Sequence, residues 1–294
     1  MTARFKTTLY LLFPTVLLLL ALCFPTACSS GVKEGLDVAV KSALPALFPA
    51  LVLSRMLARS ASQMRGRTAL FLPLWIGLIC GFPAPAAVVA ELSKEGVFSR
   101  KQGEKMLFFC NCASPAFLIL LCGQGLMGNT ACGWFLWILQ SFLSLFFFFL
   151  FFHNELKRPK EKTEKEQYRI PLTLLFSKAL SEAVGTFLTV GATILFFSFF
   201  HALLCTIIPF SSPWDAILSL FWELTGGVSA LSNLQKETAF PLCAAGVGFG
   251  GVAVYVQTLC VLEGSGLTGK HYLKGKLLFS LLLAIGAQIF QKCL

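Results

Sequence analysis

Charge is scarce in this sequence. Of its 294 residues only 13% are charged, and 14 Asp and Glu stand against 24 Lys and Arg. A soluble domain carries about 25% charged residues, so this chain cannot clothe a water-facing globule. The shortage excludes a soluble enzyme, a disordered chain and, despite a formal charge of +10, a nucleic-acid binder. Histidine is scarcer still: His153, His201 and His271 are the three present. No CxxC pair occurs, and most of the 11 cysteines lie in apolar runs, where Cys behaves as a small hydrophobe. Cys110 and Cys112 are two apart and would face different sides of a helix. Neither a disulfide scaffold nor a zinc site is expected. A Ser/His/Asp arrangement, an HExxH motif and a phosphate loop are also missing, so no catalytic residue, metal or cofactor is expected and the chain is not read as an enzyme.

What the sequence has in quantity is apolar. It is 56% hydrophobic with 30 Phe, and its mean hydropathy is +0.76. The expected solvent is therefore a bilayer, within one integral membrane domain covering 1–294. The first charge-free run, 7–32, follows Arg4 and Lys6 and reads as an uncleaved first span. A second apolar helix around 42–54 is expected to kink at Pro45 and Pro49. The run 106–154 is long enough for two spans of about 20 residues, divided at 123–129. The Phe-rich 146–152 reads as lipid-facing bulk, His201 as a packed residue, and 153–170 as a hydrophilic cytoplasmic loop.

Two runs are broken in the middle. Segment 68–92 is interrupted by Gly81-Phe82-Pro83-Ala84-Pro85, and 214–234 by Thr225-Gly226-Gly227. Each half has roughly 10–12 residues, about 15–18 Å of helix, or half a bilayer. If both are re-entrant hairpins and the N-terminus is cytoplasmic, 20 Lys and Arg fall inside and 4, namely Lys33, Lys41, Lys236 and Lys292, fall outside. A full crossing at 68–92 would put the basic loop 94–105 outside, against the rule that Lys and Arg stay in. The excess of positive charge is thus a topology signal.

The halves also echo each other. At an offset of 144, the stretch Ala39 to Ser54 aligns with Ala183 to Ser198, and the break at 81–83 falls on 225–227. Repeat 1 is read as 36–122 and repeat 2 as 180–262. Three crossings separate their starts, so they would be inverted. The expected fold is all-α: a polytopic helical membrane protein with two inverted repeats, each holding a re-entrant hairpin and a broken helix.

Irregular backbone inside a bilayer survives only when buried in protein or lining a wet cavity. Four such breaks are expected: 81–85, 225–227, 111–115 and 246–251. Pro83 and Pro115 each suit the first position of a new half-helix, and Ser114 suits an N-cap. Helix N-termini at such breaks favour anionic or polar ligands. Glu223 stands out, because a carboxylate at mid-bilayer costs about 2.5–3.5 kcal/mol on an insertion scale and such residues line ion or substrate paths. Glu91 reads as interfacial. The candidate binding set is Glu223, Thr225, Gly226, Asn111, Ser114, Gln257, Gly81 and Pro83, with a coupling ion, Na⁺ or H⁺, acting through Glu223. The partners expected are the lipid bilayer and a small solute, with self-association into a homo-oligomer left open.

These same residues carry a resemblance. Leu53-Ser54-Arg55, Gly81-Phe82-Pro83, Phe109-Cys110-Asn111-Cys112-Ala113-Ser114-Pro115, Glu223-Leu224-Thr225-Gly226-Gly227 and Gly248-Phe249-Gly250-Gly251 through Gln257 make the chain resemble the sporulation integral membrane protein YlbJ family, in the nucleoside-recognition or Gate-domain group. The matches run from about 36 to 285. The chain departs from the family where Ala84-Pro85-Ala86-Ala87 follows Pro83 in place of a Ser- and Lys-bearing tip, at Cys112 in place of a second Asn, and at Tyr255 in place of His. The resemblance implies a role in spore formation at a bacterial cell membrane and a fold like the concentrative nucleoside transporters. The function expected is a secondary transporter of a small polar, nucleoside-like solute, held between two hairpin tips. The alternative is a non-transporting assembly or signalling component.

Overall fold

The computed structural model describes residues 3–62, 67–157 and 171–293, and within these all regular structure is helical. Among the described residues four helices are long and apolar enough to cross a membrane, and five if one bent pair counts as a span. The chain is a multi-pass membrane protein. The order is α1 (Ala3–Cys23), α2 (Pro25–Val38), α3 (Leu44–Ser62), α4 (Arg67–Ile79), α5 (Ala84–Lys94), α6 (Arg100–Cys110), a π-helical segment (Phe117–Met127), α7 (Thr130–Lys157), α8 (Leu172–Ile207), α9 (Trp214–Trp222), α10 (Leu224–Ala230), α11 (Lys236–Phe249), α12 (Gly251–Leu262) and α13 (Lys270–Cys293).

The amino-terminal run is bent. Residues 7–32 are not one straight helix: α1 and α2 meet at 102° across Phe24. Pro25 starts α2, where its missing N–H has no carbonyl to bond. Helix then runs unbroken from 25 to 62, through a π turn at Ala39–Ala43. That wide turn precedes Pro45 and Pro49, so the helix passes both prolines without ending.

Residues 25–62 lie antiparallel against α8. Gly31 packs on Ala202, Gly35 on Ser198, and Phe48 meets Phe187 edge-on at 5.2 Å. Further along, Arg55 reaches Thr186 and Arg59 reaches Glu182. The small side of α2 is what lets the helices approach: a Cβ on Gly31 would sit 2.7 Å from that of Ala202.

Helix α13 shows how the apolar residues divide. Leu277, Leu281, Ile285 and Ile289 form an exposed stripe, while Phe279, Leu283 and Ala287 are buried. A spacing of four keeps one face toward lipid and leaves the other for protein. The same division overturns the reading of 146–152 as lipid-facing bulk. Phe146, Phe149 and Leu150 are exposed, but Phe147, Phe148 and Phe152 are core, with Phe109 packed on Phe148 and Phe152. Helix α7 also continues to Lys157, past the expected loop start at 153. The rest of that loop, 158–170, lies outside the described residues.

Helices α4 and α5 pack on each other, as do α9 and α10, and none of these four is long enough to span. Between them the backbone breaks at 80–83 and at Glu223, not at Thr225-Gly226-Gly227. Thr225, Gly226 and Gly227 are instead in the first turn of α10, where Gly227 lets the backbone of Leu220 pass. The other two breaks are 111–114 and Gly250, whose φ of 88° suits only glycine.

Close approaches also depend on Gly77, against the carbonyl of Cys110, and Gly275, against that of Phe108. Gly77→Ala is expected to cost about 1–3 kcal/mol of overpacking. Gly185→Ala, which meets open space, is expected to be neutral or to gain up to about 1 kcal/mol of helix propensity. Thermal unfolding of both variants in detergent tests the pair.

Candidate functional site

The first break is built against the third. Gly81 has φ 76°, and a Cβ there would lie 2.6 Å from the amide nitrogen of Ser114. Only glycine lets the two interrupted backbones touch. The Phe82 N–H donates to the Cys112 carbonyl at 2.7 Å, so one break bonds the other. Pro83 is buried and precedes α5 rather than opening it, which corrects its expected position. Pro85 sits in the first turn instead.

At the third break, Pro115 does begin the new helix and the Ser114 hydroxyl accepts from the Phe117 N–H at 3.2 Å. The polar groups freed at Ala113 are taken by Gln140 of α7. Its carbonyl oxygen accepts from the Ala113 N–H at 3.1 Å, and its amide donates to the Ala113 carbonyl at 3.0 Å. One turn on, the Ser144 hydroxyl donates to the Phe109 carbonyl at 3.0 Å. A buried carboxamide thus stands in for missing backbone partners. Gln140 and Ser144 were not among the candidates. Their signal was present: two polar residues four apart on one face of an apolar, Phe-rich run.

The second tip turns on Glu223. Its backbone is extended, with φ −141°, and its side chain caps α10. Oε1 accepts from the Thr225 N–H at 2.9 Å and Oε2 from the Gly226 N–H at 2.6 Å. A buried carboxylate with both oxygens on a helix N-terminus is satisfied by N–H groups and by the dipole.

The breaks converge on a cavity of about 390 Å³. Gly81, Ser114, Glu223, Thr225 and Gln257 line it, drawn from four separate elements. Leu47, Phe82, Phe117, Val190 and Ile194 supply apolar wall, and Lys41 reaches it from the π turn. Gln257 is held by an amide donation to the Thr193 hydroxyl at 2.7 Å. Three candidates do not line the cavity. Gly226 spends its N–H on Glu223, Pro83 is buried behind Phe82 in the chain, and Asn111 points to α12, where it donates to the Thr258 hydroxyl at 3.0 Å.

Two charged features were not foreseen. Lys276, counted among the inner-loop cations, is buried in α13, with its ammonium 5.5 Å from the Phe82 ring and 5.6 Å from the Tyr272 ring. Among the described residues no carboxylate pairs with it, and the two aromatic faces provide its attraction. Glu91, read as interfacial, joins Glu182, Arg55 and Arg59 in a half-buried ion cluster. Arg55 lies 3.9 Å from both carboxylates and Arg59 3.8 Å from Glu91. It ties α5 to α3 and α8.

Set beside known proteins, the chain has a relative. The chain is similar to the sporulation integral membrane protein YlbJ of Bacillus subtilis (strain 168). The two are 23% identical over 91% of this chain and 78% of the relative. The resemblance carried by the break residues therefore extends over most of the sequence. No family model matches the chain, and no solved structure does.

The cap gives a direct prediction. In Glu223→Gln one oxygen still accepts, but the new NH₂ faces an N–H, so a loss of about 1–2 kcal/mol is expected. A thermal unfolding midpoint in detergent that matches the unsubstituted chain would contradict the capping role.

Proposed function

We propose that this membrane protein binds a small polar, nucleoside-like solute in the cavity between the two tips, moves it across the bacterial cell membrane, and serves spore formation as the name of its YlbJ relative describes. The observation that carries this reading is the convergence of three backbone breaks, with Ser114, Glu223, Thr225 and Gln257, on one cavity. Its volume of about 390 Å³ falls in the range of roughly 300–1,000 Å³ usual for small-molecule sites, which are mostly apolar with a few placed polar groups. Phe82 and Phe117 offer ring faces for a base, and Gln257 and Ser114 offer hydrogen bonds.

The reading includes the inverted-repeat fold. Two things support it: the order of elements recurs, with a long helix, a broken pair and a broken helix in each half, and the two long helices lie antiparallel. It also includes a cytoplasmic N-terminus, supported by the division of basic residues, 19 to 4 once the buried Lys276 is set aside. Glu223 and Na⁺ or H⁺ supply the coupling.

A second reading, a non-transporting assembly or signalling component of the sporulating cell membrane, is favoured by one observation. Both oxygens of Glu223 are already engaged by α10.

Proteoliposomes separate the two. Transport predicts accumulation of a labelled nucleoside driven by a Na⁺ or H⁺ gradient, lowered at least tenfold by Gln257→Ala and uncoupled from the gradient by Glu223→Gln. If no nucleoside binds or accumulates under either gradient, the second reading stands.

A further inference from the structure

A cluster of three donor side chains lies away from the cavity, where α8 ends and α9 begins. His201 and Cys205 are one turn apart on α8, so they share a face. Asp215 lies in the first turn of α9 and reaches both. The Cys205 Sγ is 3.2 Å from Asp215 Oδ1 and 3.4 Å from His201 Nε2, and His201 Nε2 is 3.5 Å from Asp215 Oδ1. The three ligand atoms therefore form a nearly equilateral triangle.

We propose that His201, Cys205 and Asp215 form a binding site for Zn²⁺ with an open fourth position. The first reason is geometric. A tetrahedral zinc with bonds of about 2.3 Å to sulfur, 2.0–2.1 Å to nitrogen and 2.0–2.2 Å to oxygen sets its ligand atoms about 3.3–3.6 Å apart. The two edges to His201 match one face of that tetrahedron to within about 0.2 Å, and the Cys205–Asp215 edge, drawn in to 3.2 Å by the thiol hydrogen bond, opens by about 0.3–0.4 Å once the thiol proton leaves. The second reason is chemical. A thiolate, an imidazole and a carboxylate form a donor set suited to zinc, whereas hard Mg²⁺ and Ca²⁺ take oxygen. The third is access. The Asp215 side chain is 47% exposed, which gives the ion an entry path and leaves the fourth position to water. Without an ion, the single thiol proton of Cys205 can be donated to only one of its two neighbours.

As the Zn–S bond forms, the thiol proton leaves to solvent, so binding releases one proton. A bound ion fixes the root of the second broken pair to α8. It would therefore steady the element that carries Glu223 against the helix that carries Val190 and Ile194. The spacings of four and ten residues match no finger or ribbon motif, so no pattern in the chain marks the site.

The test uses the full chain, purified in detergent under reducing conditions, stripped with a chelator and titrated with Co²⁺ alone. One saturable equivalent is expected, with a thiolate-to-cobalt charge-transfer band and the intense visible bands of four-coordinate Co²⁺, both displaced by Zn²⁺. Cys205→Ser should abolish the charge-transfer band. His201→Gln and Asp215→Asn should each weaken binding by more than the roughly 10–100-fold typical of outer-shell changes. A missing band, or one that survives Cys205→Ser, overturns the proposal. Should Cys205→Ser fail to fold, alkylation of the unsubstituted chain decides. Zn²⁺ must protect Cys205 and leave the exposed Cys23, Cys260 and Cys293 reactive; equal labelling of Cys205 with and without Zn²⁺ overturns the proposal.

Discussion

A helix interrupted inside hydrocarbon leaves N–H and C=O groups with no water to bond them, and each orphan costs several kcal/mol. The rest of this structure is arranged around that constraint. Three of the four breaks are met by a specific partner: Gln140 takes both polar groups of Ala113, Glu223 takes two N–H groups of α10, and Phe82 pairs with Cys112. Because the partners of the first and third breaks come from other elements, those two cannot lie apart. The first is bonded to the third, and both must stand where α7 can reach them.

That arrangement places the cavity. Two tips that need protein around them pack inward, and the space left between them is walled by whatever those elements carry at their broken ends. Gly81, Ser114, Glu223 and Thr225 face the cavity because they are at the ends, not because each was separately aimed there. The glycines serve the same requirement. Gly81 and Gly77 bring the first broken pair onto the third break, and Gly227 closes the second pair on itself.

Charge is handled with the same economy. The few ionic groups inside the apolar body are each tied to something local. Arg55 and Arg59 share Glu91 and Glu182 across three helices, and Lys276 lies between two aromatic rings. Low charge content in the sequence thus translates into a small number of fixed electrostatic contacts rather than a charged surface.

Much of this was legible in the chain itself. Hydropathy and length fix the membrane class, because apolar faces that satisfy lipid cannot satisfy water. The interruptions were readable at Gly, Pro and Asn, since these residues cannot continue a helix unaided. Glu223 was readable because an acid is rare in such runs. Only the tertiary structure decided the rest. It moved the second break from Thr225-Gly226-Gly227 to Glu223, since a cap is defined by which N–H groups the side chain meets. It joined 25–62 into one helix and bent the chain at Phe24, which depends on packing against α8. It divided the Phe run into lipid and core faces, turned Asn111 away from the cavity, and brought His201, Cys205 and Asp215 together. Each of these is a relation between residues on different elements or different faces, and local sequence pattern carries no record of which neighbours a folded chain will supply.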